Sequence, residues 1–433
     1  MPGYYIWTIG CQMNKAESER LGGYLEWLGY EPVSRPQDAD LVLMNTCVVR
    51  GNAEQRVLGE LAYLAGLKKR SPRMAVAVTG CFVDPGSGEM QRRFSQVNLS
   101  FPAGKFAEFA QWARERGNGK RADAGQLALS VARPSPAAFV PVIQGCNNYC
   151  SYCIVPYRRG REHSRPLAEV VAEVKALVRR GVREVTLLGQ NVNAYGRDLP
   201  ESADLAGLLA RLNDVEELER IRFLTSHPRD VSLEFIEAVA SLDKVCEFMS
   251  LPLQSGDDSV LRKMRRDYTV EEYRRLAEAL RSRVPGIGLS TDVIVGFPGE
   301  TEEEFQHTVM AIRDLRFDTV HVAAYSPRPG TLAQRTMADD VPQEEKERRL
   351  RLIEGLQEGI AREVNRGLLG RRVEVLVERR NKGKWEGRTR SNKLVFFADA
   401  ADRTGDLACV EVTSASPWSL QGELVSAARV GVR

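Results

Sequence analysis

Three cysteines stand close together in Cys146-Asn-Asn-Tyr-Cys150-Ser-Tyr-Cys153, a CxxxCxxC pattern that follows an apolar run. Thiolates at this spacing can wrap one metal site, yet the pattern offers no fourth ligand. Structural zinc is normally closed by four Cys or His ligands. The chain holds only four histidines, of which His163 is nearest to the triplet. An open position therefore favours an iron–sulfur cluster with one iron free for an exchangeable ligand. The competing reading, three thiols buried in a turn, fits poorly with the polar Asn147, Asn148 and Ser151 between them. Three more cysteines, Cys11, Cys47 and Cys81, are 36 and 34 residues apart (47 − 11 and 81 − 47), too far for a local metal knuckle. Each follows its own β-rich run, so parallel strands could carry all three thiols to one sheet edge. Independent buried cysteines are the alternative. Cys246 and Cys409 have no partner at metal spacing and read as core residues.

The elements that must position these thiols are legible in the same sequence. Apolar runs at 4–9, 41–44 and 75–79 end in Gly-Cys11, Asn-Thr-Cys47 and Gly-Cys81, and amphipathic helical stretches separate them. That alternation predicts a small parallel α/β domain over residues 3–115. Residues 116–137, rich in Gly, Ala, Ser and Pro, read as a linker. From 132 to 364, strands predicted at 139–143, 184–188, 220–224, 247–251, 288–295 and 319–324 alternate with helical segments. The helix at 166–180 is opened by Pro166 and closed by Gly181. This pattern predicts a partial six-unit βα barrel whose chemistry sits at the carboxyl ends of its strands. Thr301 with Glu304 predicts a capping box, and His227-Pro228-Arg229 either faces a substrate or starts a helix. A charged helix over 343–366 leads into a β-rich segment, so 367–430 is predicted to be a small OB-like β-barrel of the kind that binds nucleic acid.

Composition narrows the class. The chain has 433 residues, 43% hydrophobic and 27% charged, which suits two or three globular domains and excludes wholesale disorder, collagen or a bare coiled coil. No apolar run approaches the ~18 residues of a membrane span, and Met1 to Cys11 lacks the pattern of a signal peptide. A cytoplasmic protein with no membrane partner is expected. In a reducing compartment its eight cysteines suit metal or catalytic use better than disulfides. The net charge of +3 hides an asymmetry: residues 371–433 carry 12 basic against 8 acidic residues, and 371–393 carry nine against three.

The CxxxCxxC triplet with Tyr152 before its last cysteine, set after the first strand of a six-unit barrel, resembles the radical S-adenosylmethionine enzymes. The second triplet narrows the resemblance to the methylthiotransferases. The stretches 143–165 (IQGCNNYCSYCIVPYRRGREHSR), 187–196 (LLGQNVNAYG), 224–230 (LTSHPRD), 251–256 (LPLQSG) and 290–301 (STDVIVGFPGET) are similar to the tRNA-modifying branch. The resemblance implies a radical SAM core in which Cys146, Cys150 and Cys153 hold a 4Fe-4S cluster whose open iron chelates S-adenosylmethionine. Electron transfer then yields a 5′-deoxyadenosyl radical. It implies that Cys11, Cys47 and Cys81 hold an auxiliary 4Fe-4S cluster that supplies or presents sulfur. The reaction implied is insertion of a methylthio group at C2 of N6-isopentenyladenosine beside the anticodon, an assignment carried mostly by 187–196. S-adenosylmethionine serves as methyl donor and as radical source. Tyr152 follows from the motif as a cofactor contact. Gln190 and Asn191 at the end of the second strand, Gln254 and Ser255 at the end of the fourth, and Asp292 in the fifth are further candidates, each otherwise a strand-end cap.

The basic C-terminal segment resembles the TRAM domain of RNA-modifying enzymes. Arg388, Arg390 and Lys393 are expected to meet phosphates, and Trp385 or Phe396 to stack on a base. Arg158, Arg159 and Arg161, with Arg165, are expected to draw an anticodon loop toward the cysteines. The partners implied are tRNA, an electron donor such as flavodoxin or ferredoxin, and a sulfur source, with the chain a monomer. Two alternatives stay open: methylthio transfer to a threonylcarbamoyl-adenosine of tRNA, and a non-catalytic RNA-binding iron–sulfur protein.

Overall fold

The first alternating runs form five parallel strands: β1 (Gly3–Thr8), β2 (Glu31–Pro32), β3 (Leu41–Thr46), β4 (Ala75–Gly80) and β5 (Leu99–Ser100), in the order β2-β1-β3-β4-β5. All six residues of β3 and of β4 are buried, as a sheet covered on both faces requires. Leu41 and Leu43 face the helices Gln12–Trp27 and Phe106–Arg116, while Val42 and Met44 face the helix Gly51–Arg70. The computed structural model describes residues 1–48, 51–84, 88–116, 135–200 and 203–426. Residues 117–134 of the expected linker, and 427–430 at the expected end of the last domain, lie outside the described residues.

The central unit contains β6 (Ala137–Pro141), β7 (Ile143–Gln144), β8 (His163–Ser164), β9 (Glu184–Leu188), β10 (Arg220–Phe223), β11 (Phe248–Ser250), β12 (Gly288–Val295) and β13 (Thr319–Ala324). Two parallel sheets, β6-β9-β10 and β11-β12-β13, meet through a parallel bridge between Ile221 and Val245. The six main strands thus follow one another in chain order as the staves of a partial barrel, around a single apolar core that also takes in Ile353 and Ile360 of the helix Gln343–Arg366. The strand expected over 139–143 ends at Pro141: the Val142 N–H still donates to Leu188 at 2.9 Å, but the Val142 carbonyl turns away to accept from the Arg165 N–H at 2.8 Å. Ile143 and Gln144 instead pair antiparallel with Ser164 and His163, and this ribbon closes the base of the cysteine loop.

The last unit is a closed barrel of β14 (Arg372–Asn381), β15 (Lys384–Thr389), β16 (Leu394–Phe397), β17 (Leu407–Ala415) and β18 (Leu420–Ser426), in the order β14-β15-β16-β18-β17 with β16 and β18 parallel. Trp385 belongs to its core: only 4% exposed, it donates its indole N–H to the carbonyls of Asp399 and Ala401 at 3.2 and 3.1 Å. It is therefore not a free stacking surface.

The loop joining β15 to β16 also has a different job from the one expected of it. It docks on the amino-terminal end of the central strands. The fully buried Arg220 donates to the Arg388 carbonyl at 2.8 Å and to Glu374 at 2.7 Å. Arg222 donates to the carbonyls of Arg390 and Thr389 at 2.7 and 2.6 Å. Arg390 forks onto the Glu247 carboxylate at 2.8 Å, and Lys393 pairs with Asp318 at 2.6 Å. The Arg388 side chain lies 3.6 Å from Glu378. Cations that looked free for phosphate are neutralised within the chain, because a buried seam must satisfy every charge it encloses. A catalytic mouth at the carboxyl ends lies at the opposite end of the strands.

Candidate active site formed by two cysteine triads

Cys11, Cys47 and Cys81 follow β1, β3 and β4, three adjacent strands of one parallel sheet, so their loops emerge side by side. Two glycines permit the loops to close. A side chain at Gly10 (φ +125°) would place its Cβ 2.7 Å from that of Cys47, and one at Gly80 (φ +95°) would lie 2.2 Å from the Thr46 carbonyl. Asn14, with no exposed surface, holds the loops from within: its Nδ2 donates to the carbonyls of Ile9 and Thr46 at 2.8 and 2.9 Å. Its Oδ1 accepts from the Cys11 thiol at 3.7 Å. Arg159 reaches this cluster from the short helix Val155–Arg159 of the central unit. Its Nε donates to Cys81 Sγ at 3.3 Å, Nη1 to Glu17 at 2.7 Å and Nη2 to Asn14 Oδ1 at 2.8 Å. Expected on RNA, Arg159 is 7% exposed and lies against the N-terminal triad.

The second triad is local. The Cys146 N–H donates to the Gly160 carbonyl at 3.2 Å and the Cys153 N–H to that of Cys150 at 3.0 Å. Ser151 ties the loop to the C-terminal end of helix Asp258–Lys263, its N–H donating to the Met264 carbonyl at 3.0 Å and its hydroxyl to that of Lys263 at 2.8 Å. Gln190, an expected cofactor contact, accepts from the Gly145 N–H at 2.6 Å and so anchors the same loop. The buried Arg266 donates to Cys150 Sγ at 3.5 Å, to the Tyr268 hydroxyl at 3.0 Å and to the Pro252 carbonyl at 3.0 Å. Burial pushes the Cys146 thiol up to about 11 and that of Cys153 up to about 12. It raises Cys81 too, against the opposing pull of Arg159. Metal entering these sites must displace protons. Three soft donors per site, with one charge-assisted donor on a sulfur of each, suit a cluster with an open iron.

The mouth of the partial barrel carries buried polar atoms without a partner among the described residues: Asn191 Oδ1, both amide atoms of Asn193, Ser226 Oγ and His227 Nε2. Such atoms are costly unless a ligand or water satisfies them, so the site fits a polar cofactor. Asn193 and Ser226 were not singled out from the sequence, although both lie in the stretches 187–196 and 224–230 that carried the resemblance. Burial, then the charge of Arg266, brings His227 down to about 3, so its ring is neutral. It accepts from the Arg229 N–H at 3.3 Å and starts the short 3-10 turn Pro228–Asp230. Asn191 Nδ2 donates to Asp230 at 2.6 Å. Thr225 (φ 66°) and Gln254 (φ 68°) hold left-handed backbone, which non-glycine residues adopt only where neighbours enforce it. Gln254 exchanges backbone bonds with Asp292 and Ile294 at 2.8 and 2.9 Å, and Asp292 is half-buried in β12. Tyr152 packs edge-on to Phe297 with ring centres 6.5 Å apart. Ser255, expected on the cofactor, is fully buried between Thr308, 3.3 Å away, and the Asp257 N–H at 3.2 Å. Its hydroxyl braces the helix Glu302–Leu315, whose start is the expected capping box of Thr301 and Glu304.

Between the triads lies a cavity of about 240 Å³. Val48, Phe82 and Ile154, which line it, directly follow Cys47, Cys81 and Cys153. Met90 extends the apolar wall, and Arg158, Arg93, Arg328, Asp84 and Glu54 add charge. Arg158 pairs with Asp84 at 2.8 Å, and Arg328 lies 3.7 Å from Glu54. Arg161 is exposed, whereas Arg165 is held by the Pro141 carbonyl at 2.8 Å and Glu173 at 2.6 Å.

Known proteins define the class first. Residues 140–312 match the Radical SAM superfamily, residues 3–102 match Uncharacterized protein family UPF0004 and residues 366–425 match the TRAM domain. In fold the chain is similar to a radical S-adenosylmethionine methyltransferase, TsrM, from Kitasatospora setae, solved with cobalamin and a 4Fe-4S cluster bound. The TM-score is 0.58 at 18% identity, covering 77% of this chain and 74% of that one. Relatives over the full length are more specific. A tRNA-2-methylthio-N(6)-dimethylallyladenosine synthase from Dehalococcoides mccartyi strain CBDB1 is 50% identical, covering 98% of this chain and 99% of its own length. Another, from a Roseiflexus species, is 47% identical over 97% of this chain and 89% of its own. The chain belongs to the tRNA-2-methylthio-N(6)-dimethylallyladenosine synthase family.

Proposed function

We propose that this chain is a tRNA methylthiotransferase that places a methylthio group on C2 of N6-isopentenyladenosine beside the anticodon. The observation that supports it best is a cavity walled by residues adjoining cysteines of both triads. Cys146, Cys150 and Cys153 hold one 4Fe-4S cluster and Cys11, Cys47 and Cys81 the other. When bound, the clusters and S-adenosylmethionine supply reductive sulfonium cleavage, a methyl group and sulfur. The chain's own contribution is positional. Asn191, Asn193, Ser226 and His227 offer polar atoms to the amino acid and ribose of the cofactor. Val48, Phe82, Met90 and Ile154 present an apolar wall to the isopentenyl group and exclude water from it. Arg158 and Arg161 lie near enough in sequence to the cysteine loop to meet the flanking phosphates.

On the β-barrel, phosphate contact passes to cations at the β14–β15 turn: Arg380, Lys382 and Lys384, all exposed. A cytoplasmic setting, an external electron donor and a sulfur source complete the reading; no helix among the described residues is long and apolar enough to cross a membrane. Anaerobically reconstituted protein should contain about eight irons, four per cluster. Cys146→Ala should abolish 5′-deoxyadenosine formation. Cys47→Ala should keep it and lose the methylthio product in nucleoside mass spectrometry. Cofactor cleavage by Cys146→Ala, or methylthiolation by Cys47→Ala, would refute the assignment.

A further inference from the structure

Arg159, a residue of the central unit, donates a hydrogen bond to a thiol of the N-terminal triad. It leaves the helix that begins two residues after Cys153. Its three nitrogens end on Cys81 Sγ, the Glu17 carboxylate and Asn14 Oδ1. Asn14 in turn accepts from the Cys11 thiol and donates to the carbonyl preceding Cys47. One guanidinium is thereby linked to all three cysteine loops, and it is 7% exposed, with Glu17 at 3% and Asn14 at 0%. A purely structural seam needs a charge pair; it does not need the cation turned onto a sulfur.

We infer that Arg159 is a positioning residue that sets the reduction potential of the cluster held by Cys11, Cys47 and Cys81, with Glu17 as its counterweight. The inference rests on the proposed reading of that triad as a cluster site. Adding an electron makes a thiolate-bound cluster more negative. A fixed buried cation hydrogen-bonded to a ligand sulfur favours that reduced form, and hydrogen bonds to the sulfurs are one of the protein's levers on cluster potential. The Glu17 carboxylate, 2.7 Å from the guanidinium, offsets part of the effect. The arrangement balances the site between two opposed buried charges, from residues on different folding units.

Opposed charges give opposed predictions. Glu17→Gln leaves the cation uncompensated and should move the potential of this cluster to more positive values. Arg159→Gln with Glu17→Gln replaces the ion pair by a neutral pair of similar shape, and should move it to more negative values. Arg159→Gln alone strands a buried carboxylate and is the variant most exposed to misfolding. The measurement is an EPR-monitored redox titration of the full-length chain, with Cys146→Ala, Cys150→Ala and Cys153→Ala present so that only one cluster contributes. The expected separation between the two variants is at least about tenfold in the reduced-to-oxidised ratio at fixed potential, equal to about 59 mV for one electron. Arg159→Lys, which keeps the charge but lacks the three-way reach, should fall between wild type and the double variant. Equal potentials in all four proteins, or shifts of one sign, would overturn the inference while leaving the cluster reading intact. About four irons in the otherwise wild-type chain would overturn the cluster reading, and this inference with it.

Discussion

The two cysteine triads reach similar chemistry by different routes. Cys146, Cys150 and Cys153 share one loop, closed at its base by the β7–β8 ribbon and pinned by Ser151. Cys11, Cys47 and Cys81 come from three strands, and their approach depends on sheet order, on glycines at 10 and 80, and on Asn14. A buried arginine donates to a sulfur of each triad, but the two arginines differ in company. Arg159 carries a carboxylate partner at 2.7 Å, whereas Arg266 donates to a phenol and a carbonyl. The N-terminal site thus carries a carboxylate against its cation, while the buried Arg266 of the barrel site donates to a sulfur and two neutral oxygens.

The largest expected effect tests how the distributed triad is assembled. Gly80→Ala forces a Cβ to 2.2 Å from a backbone carbonyl at a positive φ. It should cost roughly 2–4 kcal/mol by steric strain, measured by thermal or denaturant unfolding. It should also remove about half the iron, four of eight, while 5′-deoxyadenosine formation survives. Loss of all iron would show instead that the two triads cannot assemble separately. Next comes Arg266→Gln, which removes the donor from Cys150. Cofactor cleavage should fall about 10- to 100-fold, the usual loss when a partner of a metal ligand is removed, with the auxiliary cluster spectrum unchanged.

The third test separates the two basic groups of the β-barrel. Neutralising Arg380, Lys382 and Lys384 should weaken tRNA binding and reduce its salt slope by about two to three, one per phosphate contact. Arg390→Ala should leave that slope alone and cost about 1–3 kcal/mol of stability, since Glu247 loses its partner. The smallest effect is a pH dependence at the barrel mouth. His227 is held down to about 3, below its ordinary value near 6.5. The unfolded chain therefore takes up a proton between those values that the folded chain refuses. Stability contributed here is complete above about 6.5 and falls at up to ~1.4 kcal/mol per pH unit as pH drops toward 3. His227→Gln should flatten the acid limb of a stability-versus-pH curve.

The local triad, the six barrel strands and the capping box at Thr301 were legible because each depends on spacing within a few residues or on a period of apolar positions. The architecture of three units with a small closed barrel at the end followed from the same patterns. The fates of individual cations did not. Arg159, Arg390 and Lys393 occur in basic runs that resemble phosphate-binding surfaces, yet each meets an acidic group 75 to 143 residues away (159 − 17 = 142, 390 − 247 = 143 and 393 − 318 = 75). Asn193 and Ser226 were invisible as candidates because their significance is an unsatisfied hydrogen-bonding capacity, which exists only once neighbours have enclosed them. The sequence by itself determined which chemistry is available, since thiol spacing and strand periodicity are local properties of the chain. Tertiary structure alone decided how the charges are distributed around that chemistry, because a charge is neutralised or exposed by whatever the fold packs against it, and Coulomb's law takes no account of sequence distance.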